Sequence, residues 1–149
     1  MKVLMVVAKE GFRDPEYFTP RRVFDDTGFE VVVASDSLGQ ARGLEGGSVE
    51  VDVKIADVEV QLFDAVIFIG GGGAKKFFDY EPALDLAKTT QFSGKLLAAI
   101  CIAPVLLAKA GVLGGKKATV WSSPPDQTPV EQLRGHGAEY VDEPVVEDG

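Results

Sequence analysis

Short runs of apolar residues recur along the chain at nearly regular intervals. Four of them are apolar at almost every position, which is typical of strands buried on both faces of a parallel sheet. We predict these strands at residues 3–8, 29–35, 64–69 and 95–101. Residues 48–58 instead alternate between apolar and polar side chains, which favours a half-exposed strand in a hairpin beside the main sheet. Shorter strands are predicted at 116–122 and 138–141.

Helical patterns lie between the strands. Over residues 19–28, Thr19 suits the N-cap, Pro20 suits the first helical position and Gly28 ends the helix. Further helices are predicted over 82–94, 102–115 and 130–135. Strands that alternate with helices predict a single α/β domain over residues 1–149, with a mostly parallel sheet covered by helices on both faces.

The last residues, 144–149, have the pattern of a strand followed by an Asp-Gly turn. Asp-Gly is a strong hairpin signal, yet no returning strand follows it. We therefore expect the sequence to stop within a hairpin, with the last elements of the domain truncated or supplied from elsewhere. The alternative is a short terminal strand with a polar tail.

The charge and composition exclude several classes of function. A net charge of −8 repels phosphate backbones, so we expect no nucleic-acid partner. No segment has the apolar length of a membrane span, and the N-terminus lacks a signal-peptide pattern. One cysteine and one histidine give neither a disulfide nor the usual zinc ligand set within one chain. A cytoplasmic protein without a metal is the resulting expectation.

The single cysteine, Cys101, lies where a buried strand gives way to a helix that begins near residues 102–104. This strand-to-helix turn is the arrangement of a nucleophile elbow. We expect the helix N-terminus to favour the thiolate and to lower the pKa of Cys101 below its ordinary value. The alternative is a buried cysteine that serves only in packing.

Two further segments follow strands at the same predicted edge of the sheet. Gly70 to Gly73 come directly after the third strand, and their backbone could approach a ligand closely and donate hydrogen bonds to an oxyanion. They fit neither the P-loop nor the dinucleotide-binding pattern, and the alternative is a flexible turn. Glu16 follows the first strand, and burial could raise its pKa enough for it to hydrogen-bond a thiolate.

These segments together resemble the ThiJ/PfpI superfamily. AAICIAP at 98–104 resembles its AAIC-x-x-P elbow, and FIGGGG at 68–73 resembles its strand followed by P-G-G. The acidic residue of DPEYFTP at 14–20 resembles its buried active-site glutamate. GVLGGKKAT and VVEDG are also similar, so the resemblance covers nearly the whole chain in the correct order.

The resemblance implies a flavodoxin-like three-layer α/β/α sandwich that forms homodimers or larger homo-oligomers. It implies a reactive Cys101 hydrogen-bonded to a protonated Glu16, and an oxyanion pocket made by the amides of Gly71, Gly72 and Ile102. No cofactor is implied. The family includes glutathione-independent glyoxalases, protein deglycases, isocyanide hydratases, stress chaperones and proteins described as intracellular peptidases. Because the family continues past the Asp-Gly with a strand and a helix, a C-terminal strand and helix are expected to be missing here.

The sequence departs from the family at the position of the histidine. The peptidase-like branch has a histidine directly after the cysteine, where this chain has Ile102. Other branches supply one from the loop after the next strand, where Ser122 and Ser123 lie here as candidate pocket residues. The lone His136 is expected at the surface. Without an imidazole to protonate the leaving amine, peptide hydrolysis is the least favoured function.

Three hypotheses remain open. The first is a cofactor-independent enzyme in which Cys101 attacks small reactive carbonyls and Glu16 moves the proton. The second is a redox-sensing, stress-response or chaperone-like protein in which an oxidant acts on Cys101. The third is a protein of the same fold with an inactive site, in which Cys101 only packs.

Overall fold

The computed structural model describes residues 1–149 and has a central sheet of five strands. In chain order the elements are β1 (Lys2–Val6), β2 (Glu10–Phe12), α1 (Asp14–Asp26), β3 (Glu30–Ser35), β4 (Gly39–Gly43), β5 (Ser48–Val51), β6 (Val53–Lys54), β7 (Ala65–Phe68), α2 (Glu81–Phe92), β8 (Leu96–Ala99), α3 (Pro104–Lys109), β9 (Lys117–Ala118), α4 (Thr128–Gly135) and β10 (Glu139–Tyr140). Short 3-10 helices occupy Ile55–Asp57, Val60–Leu62 and Gly72–Asp79.

The main sheet has the strand order β6-β3-β1-β7-β8, and every pair in it is parallel. The four apolar runs form β1, β3, β7 and β8, as the sequence predicts. Their parallel pairing requires a crossover connection after each strand, and such crossovers carry helices onto the faces of the sheet. The α/β architecture expected from the sequence is confirmed.

Side chains alternate across each strand, so the main sheet contributes to two cores. One core includes Leu4, Val66 and Phe68 and lies beneath α2, α3 and α4. The other includes Val3 and Met5 and lies beneath α1 and the strands β4 and β5. The molecule therefore has three layers, with helices on both sides of the sheet. None of its helices combines the length and the hydrophobicity needed to span a lipid bilayer.

A second, small sheet stands at the end of β1. It has the order β2-β4-β5, and β4 and β5 form an antiparallel hairpin. The predicted strand 48–58 divides between this hairpin and β6, which joins the edge of the main sheet. The hairpin beside the main sheet is confirmed, whereas β2 and β4 have no clear pattern in the sequence.

Two predicted helices have different bounds in the structure. Helix α1 begins at Asp14 rather than at Thr19, with Arg13 as its N-cap residue, and Pro20 lies inside it. Pro15 can occupy the first turn as well as Pro20 can, because the first amides of a helix have no partner within it. The predicted helix over 102–115 is helical only in α3, and turns occupy the rest.

The C-terminal third also differs from the prediction. The predicted strand 116–122 is reduced to β9, which pairs with β10 in a separate two-stranded sheet. Residues 144–149 form no strand. Instead, a side-chain oxygen of Asp148 accepts a hydrogen bond from the backbone of Lys117 at 2.7 Å. The predicted terminal strand is therefore wrong. A side chain of this segment, rather than a backbone ladder, makes the hydrogen bond to β9.

The edge strand β8 leaves apolar surface open to solvent. Leu96 is 56% exposed and Ile100, directly after the strand, is 40% exposed. Leu96 pairs with Ala65, which belongs to the core beneath α1, so both residues face that side of the sheet. The core on this side lies against the middle of the sheet, and the edge strand β8 is uncovered there.

Candidate active site

Three connections meet at the carboxyl edge of the main sheet. Arg13 to Glu16 begin α1, after β1 and the short β2. Gly70 and Gly71 follow β7, and Cys101 follows β8. Since β1, β7 and β8 are neighbours in a parallel sheet, the segments that leave them lie side by side. The fold therefore brings together the segments in which the sequence placed candidate chemistry.

Cys101 is held on a sharp turn. Its φ is 64°, and it is the single non-glycine residue with a positive φ in the structure. Such a conformation costs about 1–3 kcal/mol and persists only where its surroundings fix it. Hydrogen bonds fix it on both sides, from the Ile100 amide to the Phe68 carbonyl (3.1 Å) and from the Trp121 amide to the Cys101 carbonyl (2.8 Å). The partly buried side chain thus leaves the line of the strand.

The carboxyl group of Glu16 lies beside the side chain of Cys101, and both are close neighbours of Gly70. Oε2 of Glu16 also accepts a hydrogen bond from the amide of Gly70 at 3.0 Å. Its Oε1 lies 3.6 Å from Nε of Arg13, and its side chain is only 11% exposed. A nearly buried carboxyl group with three polar neighbours has a fixed orientation toward the sulfur.

Gly70 and Gly71 are required by this close packing. A Cβ at residue 70 would lie 2.7 Å from Cβ of Cys101 and 2.7 Å from Oε2 of Glu16. Gly71 has a φ of 100°, and a Cβ there would lie 2.6 Å from the Arg13 amide. Neither distance leaves room for a side chain. By contrast, a Cβ at Gly72 would meet nothing within 4 Å.

Burial dominates the electrostatics of the pair. It raises the pKa of Glu16 above the ordinary 4.5, although the hydrogen bonds from Cys101 and Gly70 and the charge of Arg13 act in the opposite direction. Burial also raises the pKa of Cys101, and the negative charge of Glu16 and its hydrogen bond raise it further. The two groups titrate as a coupled pair, and the pair keeps a proton to higher pH than either group would in water.

The lowered pKa that the sequence predicts for Cys101 is therefore wrong in direction. The neighbouring amides of Gly71 and Ile102 do lower the pKa of Cys101 and so favour the thiolate. However, α3 has only six residues and begins at Pro104, so its dipole is small and lies further away than expected. Burial and the Glu16 charge raise the pKa of Cys101 by more than these amides lower it.

The three amides expected to form an oxyanion pocket differ in their position relative to Cys101. The amides of Gly71 and Ile102 are near enough to Cys101 to lower its pKa. Gly72 is exposed and begins the 3-10 helix, and no hydrogen bond links it to Cys101 or Glu16. Two of the three expected amides thus lie near the thiol, where they could donate hydrogen bonds to a developing negative charge.

The other candidate residues lie at or beyond the margin of this group. The chain passes Cys101 at Trp121, and Ser122 and Ser123 follow as partly buried residues whose hydroxyl groups make no hydrogen bond to the protein. The backbone of Ser123 pairs with Asp126. His136 is exposed at the end of α4, as expected, and its Nδ1 lies 2.8 Å from the Gln132 carbonyl. No imidazole belongs to the site.

Arg13 is a member of the group that sequence reasoning did not single out. It is the N-cap residue of the helix that carries Glu16, and its place three positions before a candidate acid is the signal that could have pointed to it. No three side chains of His, Cys, Asp or Glu lie close enough together to hold a metal ion. The site consists of a thiol, a carboxyl group, a guanidinium group and backbone amides.

Comparison with known proteins places this arrangement in a family. The sequence model of the DJ-1/PfpI family matches residues 1–149. The deglycase PH1704 of Pyrococcus horikoshii is 36% identical over 149 residues, all of this chain and 86% of that protein. General stress protein 18 of Bacillus subtilis is 33% identical over 147 residues, 97% of this chain and 83% of that protein.

Structural comparison agrees. The crystal structure of a ThiJ/PfpI domain protein from Brachyspira murdochii superposes with a TM-score of 0.92 at 30% identity, and the match covers 98% of this chain and 82% of that one. The resemblance carried by the cysteine, glycine and glutamate segments is thus confirmed at the level of the fold and the whole sequence. The chain belongs to the DJ-1/PfpI family.

Proposed function

We propose that the protein is a cysteine-dependent, cofactor-independent enzyme that acts on small reactive carbonyl compounds, in the manner of a glyoxalase or deglycase. The observation that carries the proposal is the packing of the Cys101 and Glu16 side chains against Gly70, at a turn that holds Cys101 with a φ of 64°. The deglycase name of a relative that is 36% identical supports the same class of reaction.

The raised pKa of Cys101 indicates how the nucleophile forms. The thiol is not a standing thiolate, so it needs a base at the moment of attack. Glu16 is the neighbouring group that can accept the thiol proton while the sulfur adds to the aldehyde carbon. The carbonyl oxygen then takes up negative charge, which the amides of Gly71 and Ile102 stabilise. Glu16 returns the proton to this oxygen, and the product is a hemithioacetal.

A second proton transfer completes a glyoxalase-type reaction. With an α-oxo aldehyde, the Glu16 carboxylate removes the proton from the carbon bound to sulfur and delivers it to the neighbouring carbon. The hydroxyl proton passes to the oxygen of the neighbouring carbon, so the hemithioacetal becomes a thioester, and water hydrolyses it to a hydroxy acid and free Cys101. No oxidant or reductant enters, because the carbon that loses a hydrogen and the carbon that gains one belong to the same substrate.

Peptide hydrolysis is less well supported. Ile102 stands directly after the cysteine, and His136 is exposed at the end of α4. No imidazole is therefore available to protonate a leaving amine.

The proposal is tested by conversion of methylglyoxal by the wild-type chain, Cys101→Ala and Glu16→Gln. We expect turnover in the wild type, none in Cys101→Ala, and a loss of about 10²–10⁴-fold in Glu16→Gln, the usual contribution of a positioned acid or base. Ser123→Ala serves as a control for a nearby partly buried polar residue and should retain activity. Full turnover by Cys101→Ala would refute the proposal.

A redox or stress-response role is the second candidate. General stress protein 18 is 33% identical to this chain, and the Glu16 carboxyl group stands where it could hydrogen-bond an oxidised sulfur. Intact mass after mild peroxide treatment tests it. A stable gain of two oxygen atoms on Cys101 supports this role, whereas no gain, or oxidation only of methionine, contradicts it.

A further inference from the structure

Arg13 stands on the solvent side of the Cys101–Glu16 pair. Its backbone is fixed, because its amide donates a hydrogen bond to the Gly70 carbonyl at 3.1 Å. Its side chain is 55% exposed, whereas that of Glu16 is 11% exposed. Nε of Arg13 lies 3.6 Å from Oε1 of Glu16. The guanidinium group thus lies beside the Glu16 carboxyl group and is more open to solvent than it is.

The charge of Arg13 is only partly balanced. Glu16 is its single ion-pair partner, and Nε engages it at a distance too long for a strong hydrogen bond. Whenever Glu16 holds the proton it takes from Cys101, the carboxyl group is neutral and Arg13 has no anionic partner. The protein as a whole carries a charge of −8, so an unbalanced cation at this position is a local exception to the acidic surface.

The guanidinium group also has donors to spare. It presents five N–H groups in a planar fork that matches the two oxygens of a carboxylate. Only Nε is directed at Glu16. The terminal nitrogens make no hydrogen bond to the protein, and more than half of the side chain faces solvent.

We propose that Arg13 sets the specificity of the Cys101 site for reactants that carry a carboxylate next to the electrophilic carbon. If the proposed carbonyl activity holds, on which this substrate class rests, the favoured substrates are 2-oxo acids and carbonyl adducts of amino acids with a free carboxylate. Neutral carbonyls such as methylglyoxal lack the group that Arg13 would bind. Arg13 is a specificity-determining residue in this account and takes no part in the proton transfers.

The test uses two alkylating reagents of nearly the same shape. Iodoacetate is an anion and iodoacetamide is neutral, and with both the sulfur bonds to carbon while iodide leaves. Cys101 is the only cysteine, so the modified mass reports this site alone. The ratio of the two second-order rate constants cancels the thiolate fraction, because that fraction affects both reagents equally.

We expect Arg13→Gln to lower the iodoacetate-to-iodoacetamide rate ratio by about five-fold, the effect of a carboxylate that binds about 4 Å from one positive charge in a solvent-like medium. Arg13→Lys should restore most of the ratio. Arg22→Gln is the matched control, because Arg22 is an exposed arginine on α1 that pairs with Asp26 rather than with the site. The effect of Arg13→Gln should shrink in high salt.

An unchanged ratio in Arg13→Gln would overturn the inference. If both rates fell equally, so that the ratio stayed the same, Arg13 would act only on the reactivity of the thiol. The test is independent of turnover. A chain that converts no carbonyl but shows the Arg13-dependent ratio would refute the proposed function and support the selectivity.

Discussion

At the scale of single residues, the site depends on the absence of a side chain at residue 70. Gly70 donates a hydrogen bond to Glu16 and lies against Cβ of Cys101. The cysteine, the glutamate and the glycine therefore form one packed unit. A change in any of them moves the others.

Gly70→Ala should disrupt the site, because its Cβ would lie 2.7 Å from both Cys101 Cβ and Glu16 Oε2. A displacement of about 1 Å in a catalytic group costs roughly 10²-fold in rate. Gly72→Ala is the matched control, since a Cβ there would meet nothing within 4 Å. Methylglyoxal turnover and Cys101 alkylation should fall in the first variant and stay near wild type in the second. Equal behaviour of the two variants would contradict the packing described.

The buried carboxyl group of Glu16 also affects the stability of the fold. Because its pKa is raised in the folded chain, the folded state binds the proton more tightly than the unfolded state does. This contribution to stability is complete below the unfolded-state pKa of about 4.3. It is lost as the pH rises through the folded-state pKa.

Glu16→Gln removes this titration and keeps an oxygen that can accept the Gly70 hydrogen bond. The free energy of unfolding of the variant, relative to wild type, should therefore increase from pH 4 to pH 8. Urea denaturation at the two pH values measures the change. Asp26→Asn, which alters an exposed carboxylate, should show no such trend. A relative stability that falls with pH would mean that Glu16 is better stabilised as an anion than its surroundings indicate.

At the scale of secondary-structure elements, Asp14 connects the start of α1 to the β4–β5 hairpin. Its two oxygens accept hydrogen bonds from the amides of Glu45 (2.9 Å) and Gly47 (2.6 Å), and the residue is 8% exposed. The hairpin turn is thereby fixed against the helix that carries Glu16.

Asp14→Ala should destabilise the fold by about 1–3 kcal/mol, because two partly buried amides lose their acceptor. Asp14→Asn should cost less, since its oxygen can still accept one of the hydrogen bonds. Thermal unfolding of both variants, compared with Asp26→Asn, tests this. A loss in Asp14→Ala no greater than in Asp26→Asn would show that the turn does not depend on the carboxylate.

The sequence predicts those elements whose structure follows from their own pattern of apolar and polar residues. The four apolar strands are buried on both faces, so their composition alone identifies them. Strand β4, with the sequence GQARG, contains little that favours a strand and exists because β2 and β5 pair with it. The early start of α1 likewise depends on tertiary contacts, since Tyr17 packs in the core beneath the helix.

Most residues of the site could be predicted from the sequence, but the pKa shift of Cys101 could not. Cys101, Glu16 and Gly71 follow strands at one edge of a parallel sheet, so topology alone brings them together. The direction of the Cys101 pKa shift depends on how deeply the pair is buried and on the length of α3, neither of which the sequence pattern gives. Arg13 was missed because its role follows from a distance.

At the scale of the whole molecule, the exposed apolar edge at β8 bears on assembly. Leu96 and Ile100 lie on this edge, and a strand edge that presents apolar side chains invites association. Homodimers or larger homo-oligomers remain our prediction for this protein. We expect a second copy to cover this edge.

Light scattering after size exclusion tests this expectation. The wild type should elute with a mass at least twice that of one chain, and Leu96→Asp should shift it toward the single-chain mass. Leu38→Asp is the control, because Leu38 is 54% exposed and lies before β4, away from this edge. Wild-type protein with the mass of one chain, or an equal shift in both variants, would contradict the proposed interface.

The coupling of Cys101 to Glu16 is the central claim, and the pH dependence of Cys101 alkylation tests it most directly. The rate of reaction with iodoacetamide should give a wild-type pKa above the ordinary value of about 8.5. In Glu16→Gln the pKa should fall, because the nearby negative charge is removed. A wild-type pKa at or below the ordinary value, or one that Glu16→Gln leaves unchanged, would contradict the coupled pair and the mechanism built on it.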